Sequence, residues 1–398
     1  MRTVQPTGAQ VRMANVAAVV DVVRRTGIAT RAQLVERTRL SRATVSSVVG
    51  ELLARGVVVE RPIHEVPEGG HGRPPQGLVL DRSAGIAVAV DIGVRHLAVS
   101  VSGLSRRPLA ERWLPIDGRL GTGASIALAS IAEVLRDAEV DFAHVIGAAV
   151  SVATAVPLGD DHPATGNVFP GWDVGDLVAR MKADWGVPVF VENDANLGAL
   201  AASQESEDPQ GTTLYVKYAT RIGLGIAIDG KIYRGGHGSA GELGHLQIVP
   251  DGERCWCGRR GCLELTAGGA GIAQTLGIPS GHGEIAEIIT RALAGDGATV
   301  AAVADAARKL GSALASAALV LDPSHIVIGG ELARLGDLVL GPVNQQLGSV
   351  QFGCEHLATL SPLGNRASLV GAIALVLSVD AGSRPGGSRS TTHTQPAH

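Results

Sequence analysis

Residues 234–264, RGGHGSAGELGHLQIVPDGERCWCGRRGCLE, constrain this chain more than any other stretch. They hold three of its four cysteines, in the order His245, nine residues, Cys255, one residue, Cys257, four residues, Cys262. One imidazole and three thiolates are a standard tetrahedral ligand set for structural zinc. A Cys-x-Cys pair needs the chain to turn between ligands, and Gly258 and Gly261 supply that freedom. The competing reading packs the cysteines as small apolar groups around a core histidine. It fits poorly with a loop so rich in Gly and Arg. A disulfide fits less well still, because nothing in the chain suggests export. The expectation is one zinc on His245, Cys255, Cys257 and Cys262, with Cys354 free.

A chain of 398 residues is long for one core, so two or three domains are expected. Hydrophobic residues at 45% and charged residues at 18% fit a well-packed soluble protein. No basic start leads into an apolar stretch, and no apolar run reaches about 18 residues, so the expected setting is cytoplasmic with no membrane partner. The net charge of −4 hides an asymmetry: residues 1–63 carry ten Arg against four acidic residues, leaving them at +6 and the remainder at −10. A basic segment of this kind is a candidate nucleic-acid binder. Within it, residues 11–25 read as a helix stopped by Gly27. Thr30 and Gln33 form a capping-box pattern that opens a second helix, and Ser41 caps a third. Val45, Val48, Val49, Leu52 and Leu53 share one face of the third helix, leaving Arg42, Thr44, Ser46 and Ser47 pointing away. That is the pattern of a helix-turn-helix reading a major groove. A three-helix bundle with a solvated face has the same local pattern. Short strands at 57–60 and 77–80 flank a loop containing GGHGRPP, which together read as a wing. Arg73 in that loop resembles the Gly-Arg-Pro element that lies in narrow, A·T-rich minor grooves.

From Ser83 the texture changes to Val/Ala/Ile strands alternating with helices: strands at 85–91, 97–101, 145–152, 187–191 and 213–218, a helix at 124–138, and Ala-rich helical sequence at 284–320. This argues for an α/β protein of two lobes with a ligand cleft. The tail 381–398, rich in Gly, Ser, Thr and Pro, reads as disordered. GELGH followed by C-x-C-G-x-x-G-C-x-E resembles the signature of the repressor/open-reading-frame/kinase (ROK) family of sugar kinases and sugar-responsive repressors. The resemblance covers roughly residues 84–380 and implies an actin-like, sugar-kinase type (ribonuclease H-like) fold behind an N-terminal winged helix-turn-helix. The implied divisions are 1–82, 83–380 and 381–398. It also implies that His245 touches a sugar as well as zinc, and that Glu242 and Glu264 accept hydrogen bonds from sugar hydroxyls. Asn167, Gly171 and Trp172 resemble the family's sugar-loop segment, and Asn193 stands at a sugar-contact position. Asp194 occupies the catalytic-base position of the kinases, where a carboxylate can take a proton from a hydroxyl or simply bind it.

Two phosphate loops depart from the kinase pattern. Val94 and Arg95 in DIGVRH replace the Gly and Thr of Asp-x-Gly-Gly-Thr. Ala219 and Arg221 in ATRIGLG replace two glycines of the second loop. A phosphate cradle needs free N–H groups and glycine conformations, so both departures count against ATP and Mg2+ binding, although Arg221 could contact a phosphate. LDPSHIVIGGEL at 321–332 resembles the adenosine-side strand and Gly-Gly turn, and is intact. The favoured reading is a DNA-binding transcriptional regulator, a repressor rather than an activator, whose kinase domain senses a sugar or sugar phosphate. It is expected to bind an inverted-repeat operator as a homodimer or homotetramer. The alternative is an active ATP-dependent hexose kinase with an added DNA-binding module. The sequence fixes neither the sugar nor the operator.

Overall fold

The computed structural model describes residues 8–63, 76–82, 84–116, 123–158, 173–206, 208–279, 281, 283–349 and 357–380. Arg73, Asn167, Gly171, Trp172, Cys354 and the tail 381–398, all singled out above, lie outside the described residues. The chain divides into two compact units, one of them built mainly from residues 1–85 and the other running from residue 86 to 375 apart from 103–105.

In the N-terminal unit, α1 (Gly8–Thr26) ends in Arg24 and Arg25, cations placed against the negative end of the helix dipole. Helix α2 (Arg31–Thr38) opens on a complete capping box: Gln33 N–H donates to Thr30 Oγ1 at 3.2 Å and Thr30 N–H donates to Gln33 Oε1 at 2.8 Å. Arg39, at φ 57°, closes it with a left-handed residue, and Ser41 caps α3 (Arg42–Ala54) two positions later. Leu34, Val45, Val49 and Leu52 bury their side chains with Val19 and Val23 of α1. Strands β1 (Val58–Pro62) and β2 (Gln76–Leu80) pair antiparallel, and Leu78 exchanges two backbone hydrogen bonds with Ala29 at 3.0 and 2.8 Å. The strand pair is therefore fixed to the helices through the α1–α2 connection. Three helices and a two-stranded wing are what the sequence predicted.

The larger unit holds two sheets of five strands each among the described residues. The first has the order β5-β4-β3-β6-β7, from β3 (Ile86–Ile92), β4 (His96–Ser102), β5 (Pro108–Pro115), β6 (Val145–Val152) and β7 (Val189–Asn193). The second has the order β10-β9-β8-β11-β12, from β8 (Thr213–Tyr218), β9 (Ile222–Ile228), β10 (Lys231–Ile232), β11 (His325–Gly329) and β12 (Thr359–Leu360). Both follow one plan: three antiparallel strands, then two added in parallel. Strands β3 and β6 are buried along their whole length, which is why they read as continuous apolar runs rather than alternating ones. Helices α4 (Gly123–Asp137) and α5 (Val174–Trp185) cover the first sheet. Around the second lie α7 (Leu263–Ala267), α8 (Gly269–Thr275), α9 (Glu284–Leu293), α10 (Gly297–Leu321) and α11 (Asp337–Leu347).

Helix α6 (Asp194–Glu205) follows β7 directly and is buried along nearly all its length, with α12 (Ala367–Asp380) beside it. The close fit depends on glycine: a Cβ on Gly225 of β9 would lie 1.9 Å from Ala195 O, and one on Gly371 of α12 would lie 1.9 Å from Leu197 O. Burying α6 against β9 and α12 places Asp194, its first residue, at the floor of a cleft. The β3–β4 turn, the end of β7 and the β8–β9 turn line that cleft, whose volume is about 530 Å³.

Candidate functional site

The His/Cys3 cluster is assembled by tight turns. Cys255 N–H donates to Arg259 O at 2.7 Å, and Gly258 N–H donates to Cys255 O at 3.0 Å. Gly261, at φ 61°, passes so close to Val249 that a Cβ there would lie 1.6 Å from its carbonyl oxygen. Tetrahedral zinc with ligands at 2.0–2.3 Å separates neighbouring donors by about 3.5–3.8 Å. Cys255 Sγ is 3.5 Å from His245 Nδ1, Cys257 Sγ is 3.6 Å from Cys262 Sγ, and all four donor atoms lie within 4.8 Å of one another. The donor set and its spacing are compatible with zinc. Burial and the neighbouring thiols push Cys262 up to about 12, so a metal bound there would have to displace its proton. His245 turns Nδ1 to the cysteines and Nε2 towards the cleft, 3.7 Å from Glu242 Oε2. One side chain thus links the metal-compatible cluster to the ligand cavity.

Asn193, Asp194, Glu242, His245 and Glu264, five of the six residues expected to touch a sugar, line one cleft. Their roles there differ. Asn193 caps α6: its Oδ1 accepts from Ala195 N–H at 2.9 Å and Asn196 N–H at 3.1 Å, while Nδ2 donates to Thr154 O at 3.1 Å. Among the described residues Nδ2 makes no second hydrogen bond, which leaves one amide N–H for a ligand. Asp194 Oδ1 accepts from Ala195 N–H at 2.7 Å, and Oδ2 accepts from Lys217 Nζ at 2.7 Å. Glu264 is buried and accepts from Trp256 Nε1 at 3.1 Å. Removal from water, together with the charges of Glu264 and Asp194, raises the Glu242 carboxyl above its ordinary value. Carboxylates, an imidazole and an amide converging beside an indole form a set that accepts and donates hydrogen bonds to vicinal hydroxyls.

The opposite side of the cleft is built differently. Among the described residues no positive φ occurs at Val94, Arg95, Ala219 or Arg221, so neither turn adopts a glycine conformation there. The His96 ring occupies the space over Gly93, where a Cβ would meet it at 2.2 Å. Arg95 Nη2 reaches Glu284 Oε1 at 3.4 Å, joining the β3–β4 turn to the first turn of α9. Glu284 is only 3% exposed, and its Oε2 accepts from Gly281 N–H at 3.1 Å. Ala219 O and Thr220 O accept from Gly269 N–H and Ala270 N–H at 2.9 and 3.2 Å, so carbonyl oxygens of the second turn face the start of α8. The Arg221 guanidinium lies 5.5 Å from the centre of the Trp256 ring. A buried carboxylate at this wall opposes a polyphosphate.

In the N-terminal unit, Arg42, Ser46 and Ser47 are exposed on α3, while Val45, Val48 and Val49 face the core. Thr44 is half-buried, its hydroxyl 2.8 Å from Ser41 Oγ at the cap. The face predicted to read DNA is open along Arg42, Ser46 and Ser47, and Thr44 is partly committed to the helix start.

The sequence model of the ROK family matches residues 87–379. The chain belongs to the ROK family. The xylose repressor of Bacillus subtilis (strain 168) is 27% identical over 366 residues, covering 87% of this chain and 90% of that protein. The DNA-binding transcriptional dual regulator NagC of Escherichia coli (strain K12) is 29% identical over 389 residues, covering 92% and 93%. Among solved structures, a ROK family transcriptional regulator described as a homolog of the E. coli MLC protein superposes with a TM-score of 0.71 at 23% identity, covering 94% of this chain and 98% of that one. A ROK glucokinase from Streptomyces griseus, in complex with glucose and AMPPNP, superposes with a TM-score of 0.61 at 28% identity, covering 73% of this chain and 99% of that one. The fold is therefore the winged helix-turn-helix followed by the two-lobed sugar-kinase type, in a family that includes kinases as well as regulators.

Within this ROK domain, three features escaped the sequence reading. Lys217, in the apolar strand TLYVKY, pairs with Asp194. A lysine among β-branched and aromatic residues was the available signal. Trp256 stands between the cluster and the cleft, its ring edge-on to His245 with centroids 4.8 Å apart. Glu192, 2% exposed, accepts from Arg234 Nε at 2.6 Å and from Asn196 Nδ2 at 2.9 Å, which anchors the start of the 234–264 stretch beneath α6. Its position next to Asn193 in ENDANLG gave no sign of that pairing. No described helix is long and apolar enough to cross a membrane.

Proposed function

We propose that this chain is a sugar-responsive DNA-binding transcriptional repressor whose kinase-type domain serves as the effector sensor. The observation that carries this is the Arg95–Glu284 pair: the sugar side of the cleft keeps its acceptors, while the phosphate side is crossed by the chain's own charges. Residues 1–82 form the DNA-binding part, 83–380 the sensor, and 381–398 a tail. Arg42, Ser46 and Ser47, with Thr44 at the cap, read major-groove edges, and Arg73 enters an A·T-rich minor groove. A homodimer or homotetramer then engages an inverted repeat, because one recognition helix reads too few base pairs for useful specificity. Zinc on His245, Cys255, Cys257 and Cys262 holds His245 towards the sugar. Xylose and N-acetylglucosamine appear in the names of relatives of nearly equal identity, so the effector is assigned only as a sugar or sugar phosphate. Cytoplasmic placement follows from the proposed DNA partner.

The test is thermal unfolding against a panel of pentoses, hexoses and their phosphates, with and without ATP and Mg2+. The reading expects stabilisation by a sugar or its phosphate, none by ATP–Mg2+, and no turnover in a coupled kinase assay. Asp194, still at the cleft floor, keeps the kinase reading alive. Turnover that disappears in Asp194→Asn would establish that reading instead.

A further inference from the structure

Lys217 is one of only four lysines in the chain, and its side chain is 17% exposed at the base of the cleft. Its Nζ lies 2.7 Å from Asp194 Oδ2. A second, fully buried carboxylate feels the same ammonium charge. Asp91, at 0% exposure near the end of β3, accepts from Ser151 Oγ at 2.6 Å and Ser368 Oγ at 2.9 Å, with His96 Nε2 at 3.1 Å. Burial works to protonate Asp91. The Lys217 charge is the strongest influence in the other direction, and with His96 and Ser151 it holds the carboxyl well below the usual range. Ionised carboxylates withdrawn from water need a counter-charge. Where phosphates are handled, one or two carboxylates commonly supply Mg2+ with its protein ligands, the substrate supplying the rest. In this cleft an ammonium already stands against Asp194.

We propose that Lys217 is a built-in cation that takes the place of a divalent metal opposite Asp194, and presents Asp194 as a fixed hydroxyl acceptor with an ammonium donor beside it. The ligand part of this rests on the cleft being a sugar site, and the cation part stands without it. A hydroxyl bound here donates to Asp194 and accepts from Lys217. Lys217 Nζ occupies Asp194 Oδ2 with a hydrogen bond of its own, so the same residue that replaces the metal holds Asp194 as a receptor rather than a base.

The experiment uses the full-length, zinc-loaded chain and Mn2+ as the only added probe, at constant ionic strength. Wild type should unfold at the same temperature with or without millimolar Mn2+. Lys217→Met should unfold at lower temperature and recover part of the loss with Mn2+, with measurable heat of metal binding. Lys217→Met combined with Asp194→Asn, which removes both charges of the pair, should be folded and weaker than the single variant in its Mn2+ response by about tenfold or more in affinity. The idea is overturned if Lys217→Met matches wild type and ignores Mn2+, or if wild type itself is stabilised by Mn2+. If the single variant does not fold, the double variant decides: a folded protein supports the proposal, and an unfolded one overturns it. No sugar enters these measurements, so a chain that binds no sugar, which would sink the sensor reading, still gives a clear answer on Lys217.

Discussion

Cys257 is the exposed corner of a cluster whose other two thiols, Cys255 and Cys262, are buried. Replacing it leaves the packing of the loop largely in place and removes one donor. We predict that Cys257→Ser lowers zinc content below one per chain and zinc affinity by more than the about 10–100-fold typical of changes around a metal's ligands. Elemental analysis after desalting measures this, and full occupancy in a Cys255/Cys257/Cys262 triple variant would refute the ligand assignment. Asp91 and Lys217 make a second residue-level prediction, about pH. The Asp91 carboxyl is depressed in the folded state, so its contribution is complete above the ordinary Asp value, about pH 4, and is lost as pH falls towards and through the depressed value. Lys217 is raised, so its contribution is complete below about pH 10 and is lost as pH rises through the raised value. Asp91→Asn should therefore cost about 3–5 kcal/mol near neutral pH. The cost should shrink in urea titrations taken below about pH 4; a cost independent of pH would show that Asp91 contributes only through packing. The His/Cys3 cluster was legible because its spacing lies within one local stretch. The Lys217–Asp194 pair was not, because it joins strand β8 to the first residue of α6, and only the fold brings residues 23 apart to 2.7 Å.

Helix α3 separates stability from recognition along its own length. Leu52 and Val49 are buried, whereas Arg42 and Ser46 are exposed one turn apart on the other side. We predict that Leu52→Ala costs about 2–5 kcal/mol, and that Ser41→Ala costs about 1 kcal/mol through the lost cap. Arg42→Ala and Ser46→Ala should leave the melting temperature unchanged while weakening operator binding, with Arg42 worth about 1–3 kcal/mol if it meets a base edge. Equal affinity of Arg42→Ala for operator, read at fixed salt by fluorescence anisotropy, would remove α3 as the reading element. At this scale the caps and the apolar strands were legible, since Thr30, Ser41 and the runs of β3, β6 and β8 carry their signal locally. Strand β5 and helix α5 went unread. In β5 the sequence PLAERWLP carries Glu111 and Arg112, which look solvated yet pair with Arg366 and Glu133. The strand at β7 begins two residues later than expected, and that shift is what leaves Asn193 at the strand end as the cap of α6.

Across the whole molecule, the two lobes of the larger unit meet at the cleft through charges as well as through packing. Arg95 lies on one side and Glu284 on the other, and Asp194, Glu242 and Glu264 line the same cavity. A ligand that bridges Asp194 on α6 and His245 beside the zinc-compatible loop stabilises the lobe arrangement in which those groups converge. It can change DNA affinity only through different affinities for two conformations. Thermodynamic linkage then requires operator DNA to change sugar affinity by the same factor, typically about 5–150-fold. We predict this reciprocity for the sugar found by thermal screening. Titrating that sugar by calorimetry with and without saturating operator measures the factor directly, and operator titrations with and without saturating sugar must return the same value. Glu242→Ala serves as the control. Glu242 lies at the rim of the cleft beside His245, so the variant should weaken sugar binding in both titrations while leaving sugar-free operator affinity intact. If sugar affinity is identical with and without DNA, the cleft binds a ligand but is not the switch, and the winged helix-turn-helix must be controlled from elsewhere on the chain.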